Sequence, residues 1–283
     1  HSEHYMMSPF FNDHTSYGAM IAFFLPLNVA LFFVHKNTWI RLLSFLMVLI
    51  LSVGLILSFT RAAWVSLFIA LIVFIFLKLK INRSLLFISP FVLSMILLLF
   101  SGSIIQTLET NKQDSSDNLI EHISSISNIS TDASNMERIN RWKCALKMFV
   151  EKPLYGWGPG TYQFQYSSFQ LSKDRTVISS NFGDMGNAHS EYLSTLCETG
   201  IIGFLSFVTL VLVIIIRAIN MYYATTNRLH SIWLLAIVTA LISYFIHGLL
   251  NNFLDTDKAS VAIWCCVSIL IAMDLMNNKK QPI

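Results

Sequence analysis

Residues 42–59 read LLSFLMVLILSVGLILSF, eighteen consecutive positions without a charge. A helix of ~17–25 such residues crosses the hydrocarbon of a bilayer. Lipid offers the backbone no hydrogen-bond partners, so the segment must pair its own N–H and C=O groups, and that selects a helix. The alternation that marks a barrel strand is absent. Composition extends the reading to the whole chain. Of 283 residues, 54% are hydrophobic and only 12% are charged, where soluble domains carry about 25% charge. The sequence therefore reads as an all-α integral membrane protein.

Working outward, seven apolar runs emerge, at 16–34, 42–59, 62–77, 85–100, 201–216, 232–250 and 259–273. The shorter ones borrow interfacial residues such as Trp64 or flanking lysines. Pro26 and Pro90 fall in or near spans, where neighbouring helices absorb a kink. The organisation that follows is four transmembrane helices in 1–100, a large loop in 101–200 and three transmembrane helices in 201–283. The opening HSEHYMMSPFF has no initiator methionine, basic n-region or signal-peptide core, and reads as a fragment or mature chain lacking upstream helices.

Lysine and arginine set the orientation. Alternate loops hold Lys36, Arg41, Lys78, Lys80, Arg83, Arg217, Arg228, Lys279 and Lys280 against one acid, Asp274. The other set holds ten basic and fifteen acidic residues. The first set is expected in the cytoplasm. Segment 101–200, the opening residues, the turn at Arg61 and the 251–258 loop are then extracytoplasmic. The net charge of +3 is a topology signal, with no basic patch for nucleic acid.

So long a loop is functional or partly disordered. Its first part, QTLETNKQDSSDNLIEHISSISNISTDASN, is rich in Ser, Asn and Asp and reads as mobile or weakly helical. Order resumes at SNMERINRWKCALKMFVEKP. Ser134 and Glu137 form a capping-box pattern. Ile139, Trp142, Leu146 and Phe149 mark one apolar helical face, Arg138 and Arg141 lie one turn apart on another side, and Pro153 ends the helix. An amphipathic helix against the outer membrane face is expected. In YGWGPGTY, Gly156, Gly158 and Gly160 with Pro159 predict a tight corner that folds the helix back, with backbone N–H groups open to a ligand as a further reading. A second short helix begins at His189, with Tyr192, Leu193 and Leu196 as its apolar face, and Gly200 ends it or bends it into the next span. Cys265 and Cys266 are packing residues of the last span. Cys144 and Cys197 share the outer loop, where an oxidising space would let them pair.

Four pieces, FNDHTSYGAMIAFFLP, SFTRAAW, ERINRWKCALKMFVEKPLYGWGPGTY and AHSEYLSTLCETGIIG, resemble in order and spacing the O-antigen ligase and polymerase superfamily. That family's pattern is an arginine before small residues and Trp, Arg-x-x-x-Trp leading to a glycine-rich turn, and His with Tyr and Leu before Glu-Thr-Gly. The resemblance spans about 8–274. It implies a metal-independent, cofactor-free glycosyltransferase, multi-pass in the bacterial inner (cytoplasmic) membrane, with the large loop extracytoplasmic. The implied donor is a glycan on polyprenyl pyrophosphate, and the acceptor is a hydroxyl of lipid A core or of another glycan. Polymerase and protein O-oligosaccharyltransferase are the sibling activities. The family's two essential arginines and histidine map to Arg61, Arg138 and His189. The chain departs from the pattern in its seven spans, where about a dozen are usual, and in Ser190, where Asn often follows the histidine.

The chemistry agrees. A departing pyrophosphate gathers negative charge, which needs a cation. The large outer loop holds no DxD cluster for Mg²⁺, and the Asp-x-Asp of Asp255 and Asp257 stands directly before the last span, whereas arginine grips phosphate oxygens bidentately. Arg61 and Arg138 are the candidates for that grip, with Arg141 as a further one. His189 has the chemistry of a base for the acceptor hydroxyl, Glu191 or Tyr192 helping to orient it, and one-step attack inverts the anomeric centre. Each residue also has a plainer reading. Arg61 is a snorkelling anchor, Arg138 and Arg141 a lipid-binding face, His189 a helix cap, and the glycine corner purely structural. His247, Asn251, Asn252 and Asp255, like Asp13, His14 and Tyr17, line an acceptor site or simply form polar turns. A transporter is the competing class, and it would place ionisable groups at span centres.

Overall fold

The computed structural model describes residues 10–11, 13–82, 133–171 and 186–278. These residues are helical throughout, without strands: α1 (His14–Val34), α2 (Thr38–Leu57), α3 (Arg61–Lys78), α4 (Ala133–Glu151), α5 (Tyr162–Phe169), α6 (Glu191–Ala224), α7 (Arg228–His247) and α8 (Asp257–Asn278). All but α4 and α5 are long and apolar enough to cross a membrane, and each of those six falls on a run read from the sequence, α2 and α7 ending two to three residues before their runs do. The remaining run, 85–100, lies outside the described residues, as do the polar stretch 106–132 and the side chain of Ser134. The helices overrun the shorter runs. Starting α3 at Arg61 and extending α8 to Asn278 supplies the length that hydrocarbon demands.

The chain divides into two units, His1–Ile81 with Leu210–His247 and Phe253–Ile283, and Asn82–Thr209 with Gly248–Asn252. In the first, α7 is the central helix. It packs on α1 and α3, and α1 packs in turn on α2. Residues 234–241 of α7 are buried without interruption, as expected of a helix apolar on every side. Small residues let the backbones approach. Gly18, Ala22, Pro26 and Ala30 of α1 recur every four residues and are all buried, as are Ala62, Ser66 and Ala70 of α3. Pro26 is accommodated within α1. By contrast α2 buries only Ser44 and Leu55 and turns Trp39, Leu43 and Ile50 outward, a surface suited to lipid. Buried hydroxyls bond back along their own helices, Ser44 Oγ to the Ile40 carbonyl (2.9 Å) and Thr239 Oγ1 to the Leu235 carbonyl (2.7 Å).

One end of this unit is tied together by the turn between α2 and α3. Thr60 Oγ1 donates to the His14 carbonyl (2.9 Å), and His14 Nδ1 lies 2.9 Å from the Ser58 carbonyl. Asp13 caps α1 by accepting from the Ser16 N–H (2.7 Å). Phe59 takes the left-handed region at φ 49. Gly18 is pressed so close that a Cβ there would stand 2.6 Å from Thr60 Oγ1. Lys258, at the start of α8, lies over the Phe11 ring. Elsewhere in the unit Arg217 grips Asp274 through two 2.8 Å bonds, and the Tyr223 hydroxyl donates to the Ile81 carbonyl (2.7 Å).

The second unit is organised by a break in α6. Gly200 sits at φ 66, so a short helix ends there and the long apolar one begins, the bend that the sequence predicts. A broken helix leaves carbonyls and N–H groups without partners. The corner after α4 supplies them. Trp157 N–H donates to the Cys197 carbonyl (3.1 Å), Gly158 N–H to the Glu198 carbonyl (2.8 Å), and Ile201 N–H to the Pro153 carbonyl (2.8 Å). The Glu198 carboxylate accepts from Gly160 N–H (3.0 Å) and Tyr162 N–H (2.9 Å). The corner's N–H groups are thus satisfied from within the fold, which corrects the reading that held them open to a ligand. Under this corner Cys144, Ala145, Met148, Tyr162, Tyr166, Ala188 and Cys197 form a buried core, with Cys144 and Cys197 as thiols. The face of α4 that packs inward carries Glu137, Arg141, Cys144, Ala145 and Met148, while Leu146 is exposed. The predicted apolar face is displaced because small and paired polar residues pack more closely than Ile139 or Leu146 would.

A Cβ on Gly200 would overlap the Leu154 carbonyl, whereas one on Gly160, also left-handed at φ 74, would meet nothing within 4 Å. Both alanines meet a positive-φ backbone costing ~1–3 kcal/mol, and at Gly200 ψ is −169, a conformation that essentially only glycine adopts. Gly200→Ala is therefore expected to lower the thermal midpoint of the detergent-purified chain by more than ~4 °C, and by clearly more than Gly160→Ala. Equal shifts would show that the interlock is not what holds this unit.

Candidate active site

Arg61 belongs to the first unit and is the first residue of α3. It is half-buried, and the Ser58–Thr60 turn fixes where it leaves the helix. A guanidinium at the positive end of a helix dipole runs against the local preference.

Arg138, Arg141, His189, Glu191 and Tyr192 all belong to the second unit. Arg138 and Arg141 stand on α4 one turn apart, with different surroundings. Arg141 is buried. Its Nε donates to Glu137 Oε1 (2.8 Å) and its Nη1 to the Asn187 carbonyl (3.2 Å). Its guanidinium lies over the Tyr166 ring, 4.8 Å from the centroid, and the Tyr162 hydroxyl donates to its carbonyl (2.9 Å). A buried charge tolerated this way needs both a partner and hydrogen bonds, and Arg141 has both. Gly186 must lack a side chain because a Cβ there would overlap Arg141 Nη1. Arg138, three residues earlier, is half-buried.

His189 does not begin a helix. It precedes one, at φ 48 in the left-handed region, and the helix starts at Glu191, where Ser190 Oγ accepts from the Leu193 N–H (3.4 Å). The strained backbone is fastened on both sides. His189 N–H donates to Asn187 Oδ1 (3.1 Å), and its carbonyl accepts from Trp142 Nε1 (3.1 Å). Strain at a non-glycine residue persists only where the surroundings over-determine it. Burial, then the positive charges of Arg138 and Arg141, push the imidazole down to about 4, against the opposing effects of Glu137 and a hydrogen bond with Asn251. His189 is accordingly neutral at pH 7, with a lone pair to offer beside a guanidinium. Glu191 is buried and its N–H donates to the Gly248 carbonyl (2.8 Å). Tyr192 packs edge-on against Phe207 at 5.6 Å.

The second unit therefore gathers Arg138, Arg141, His189 and Glu191, and adds Glu137, which the sequence offered only as a helix cap, and Asn251, which it offered among several residues for an acceptor site or a polar turn. Glu137 serves as the partner of Arg141, a pairing written in its four-residue spacing. Asn251 serves as the hydrogen-bond partner of His189. Nothing in the sequence connects Asn251 to His189 across so long a separation, and its polar turn reads equally well as a simple connector.

A family model described as O-Antigen ligase matches residues 46–208, more than half of the chain and the part that holds Arg61, Arg138, Arg141, His189, Glu191 and Tyr192. No curated protein matches the chain. The match falls on the motifs in SFTRAAW, ERINRW and AHSEY and on a helical, multi-pass membrane architecture, and the chain belongs to the O-antigen ligase family.

Proposed function

We propose that the chain transfers a glycan from polyprenyl pyrophosphate to an acceptor hydroxyl of lipid A core or of another glycan, at the outer face of the bacterial inner membrane. The observation that carries this reading is His189, neutral and fixed, facing the positive charge of Arg138. In the reaction the acceptor oxygen attacks the anomeric carbon and its proton passes to the imidazole. The bond from that carbon to the pyrophosphate oxygen breaks, and the electron pair leaves with the lipid pyrophosphate. The centre inverts. Arg138 meets the charge that develops on the leaving group, a role in which a fixed guanidinium needs no metal, and the family's arginine motif gives Arg61 a pyrophosphate-binding role of the same kind. Arg141, engaged by Glu137, Asn187 and Tyr166, keeps this wall of the site rigid. Glu191 anchors the segment that follows His189. The positive bias of the alternate loops supports placing this chemistry outside the cytoplasm. Span centres such as residues 234–241 of α7 carry no titratable group, which favours interfacial chemistry over a transport path.

Arg61→Ala, Arg138→Ala and His189→Ala are each expected to cut transfer by ~100-fold or more and to make lipid-linked glycan accumulate in cells, as read by chromatography of the extracted polyprenyl lipids. Arg138→Lys recovers little, because a point charge does not reproduce the bidentate fork. Full transfer by His189→Ala would refute the proposal.

The rate should also stay level from pH 7.5 to 5.5. The base is active only when deprotonated, so its acid limb lies near pH 4, well below the value of ~6.5 for an exposed histidine. A limb near 6.5 in the rate profile of the purified chain would place His189 outside the chemistry.

A further inference from the structure

The loop Gly248–Asn252 follows α7 in sequence yet folds with the second unit. Its first residue is anchored there, since the Gly248 carbonyl accepts from the Glu191 N–H at 2.8 Å. Three residues on, Asn251 is 2% exposed and its side chain hydrogen-bonds His189. The backbone of His189 is already locked by Asn187 and Trp142, so the imidazole retains little freedom beyond rotation of its ring and the choice of which nitrogen carries the proton. From α4 the charged groups that face the ring are Arg138, Arg141 and Glu137. Of these three only the Glu137 carboxylate can accept, and it already accepts from Arg141 Nε at 2.8 Å, while guanidinium groups can only donate. Asn251 has a carboxamide oxygen that accepts and no charge to gain or lose.

We propose that Asn251 is the positioning residue of the site: its carboxamide oxygen accepts from one ring N–H of His189 and so keeps the opposite nitrogen unprotonated and aimed at the acceptor hydroxyl. The proposal rests on the reading of His189 as the base. It assigns the loop after α7 a part in the reaction rather than a connecting role. It also explains why a neutral amide occupies the place where a carboxylate would be the stronger acceptor. Next to a carboxylate the imidazolium would be stabilised, and the base would be protonated at higher pH.

The test uses the full chain in detergent, with the polyprenyl-pyrophosphate-linked glycan extracted from cells deleted for this chain as the donor. Asn251→Ala is expected to lower kcat by ~10- to ~100-fold while KM for the donor stays within about twofold, the mark of a misdirected base. Asn251→Asp should keep most of kcat at neutral pH and move the acid limb upward by about one pH unit or more. Leu249→Ala, on the exposed side of the same loop, should behave as the parent does. An Asn251→Asp profile superimposable on the parent's would overturn the proposal. A ¹⁵N-histidine spectrum tests the contact without turnover and without a variant at Asn251. The resonance of His189, identified by its loss in His189→Gln, should show one neutral tautomer at pH 6, and a mixture of tautomers would overturn the assignment. If His189→Ala stays active, the functional reading fails while the spectrum still reports on the contact. If His189→Ala is inactive and both Asn251 variants behave as the parent, the positioning role alone fails.

Discussion

The second unit depends on one carboxylate. When α6 breaks at Gly200, the last carbonyls of its short segment and the first N–H of its long one lose their helical partners. The corner between α4 and α5 is shaped to take them, and Glu198 completes the exchange by accepting from Gly160 and Tyr162. Exposed ion contacts contribute little, but this acceptor bonds to backbone, and the backbone it bonds to is the turn that folds α5 against α4. The same contact fixes the spacing between α4, which carries both arginines, and the segment before α6, which carries the histidine. Geometry at His189 is thus inherited from a junction some ten residues downstream.

Charge arrangement follows from that geometry. Two arginines one turn apart on α4 would repel each other and any imidazolium beside them. Glu137 resolves half of the problem by neutralising Arg141 in a buried pair. A buried pair of this kind is weak evidence of added stability, and it leaves the charge of Arg138 among the influences on His189. The result is a histidine that resists protonation next to a guanidinium that attracts anions.

Much of this was legible in the sequence. Spans announce themselves because lipid imposes length and hydropathy together, and the six that can be compared fall where the runs predict. The glycine corner and the bend at Gly200 were legible because left-handed backbone calls for glycine. The packed face of α4 was not. Hydropathy pointed to Ile139 and Leu146, whereas the core took Cys144, Ala145 and Met148, whose small or flexible side chains fit beneath Tyr162 and Tyr166. The backbone of His189 was not legible either, since its φ of 48 arises from contacts with Trp142 and Asn187 that no local pattern encodes. Asn251 was visible as a polar residue in a turn, but its partner lies in a different part of the chain. Local signals found the elements, and long-range pairing decided what the site contains.

Cys144 and Cys197 lie in the core beneath the corner, one on α4 and one on the short half of α6, both fully enclosed. An alkylating reagent can meet either sulfur only when that core breathes apart. Their modification rate therefore times transient opening of the lobe that carries the histidine.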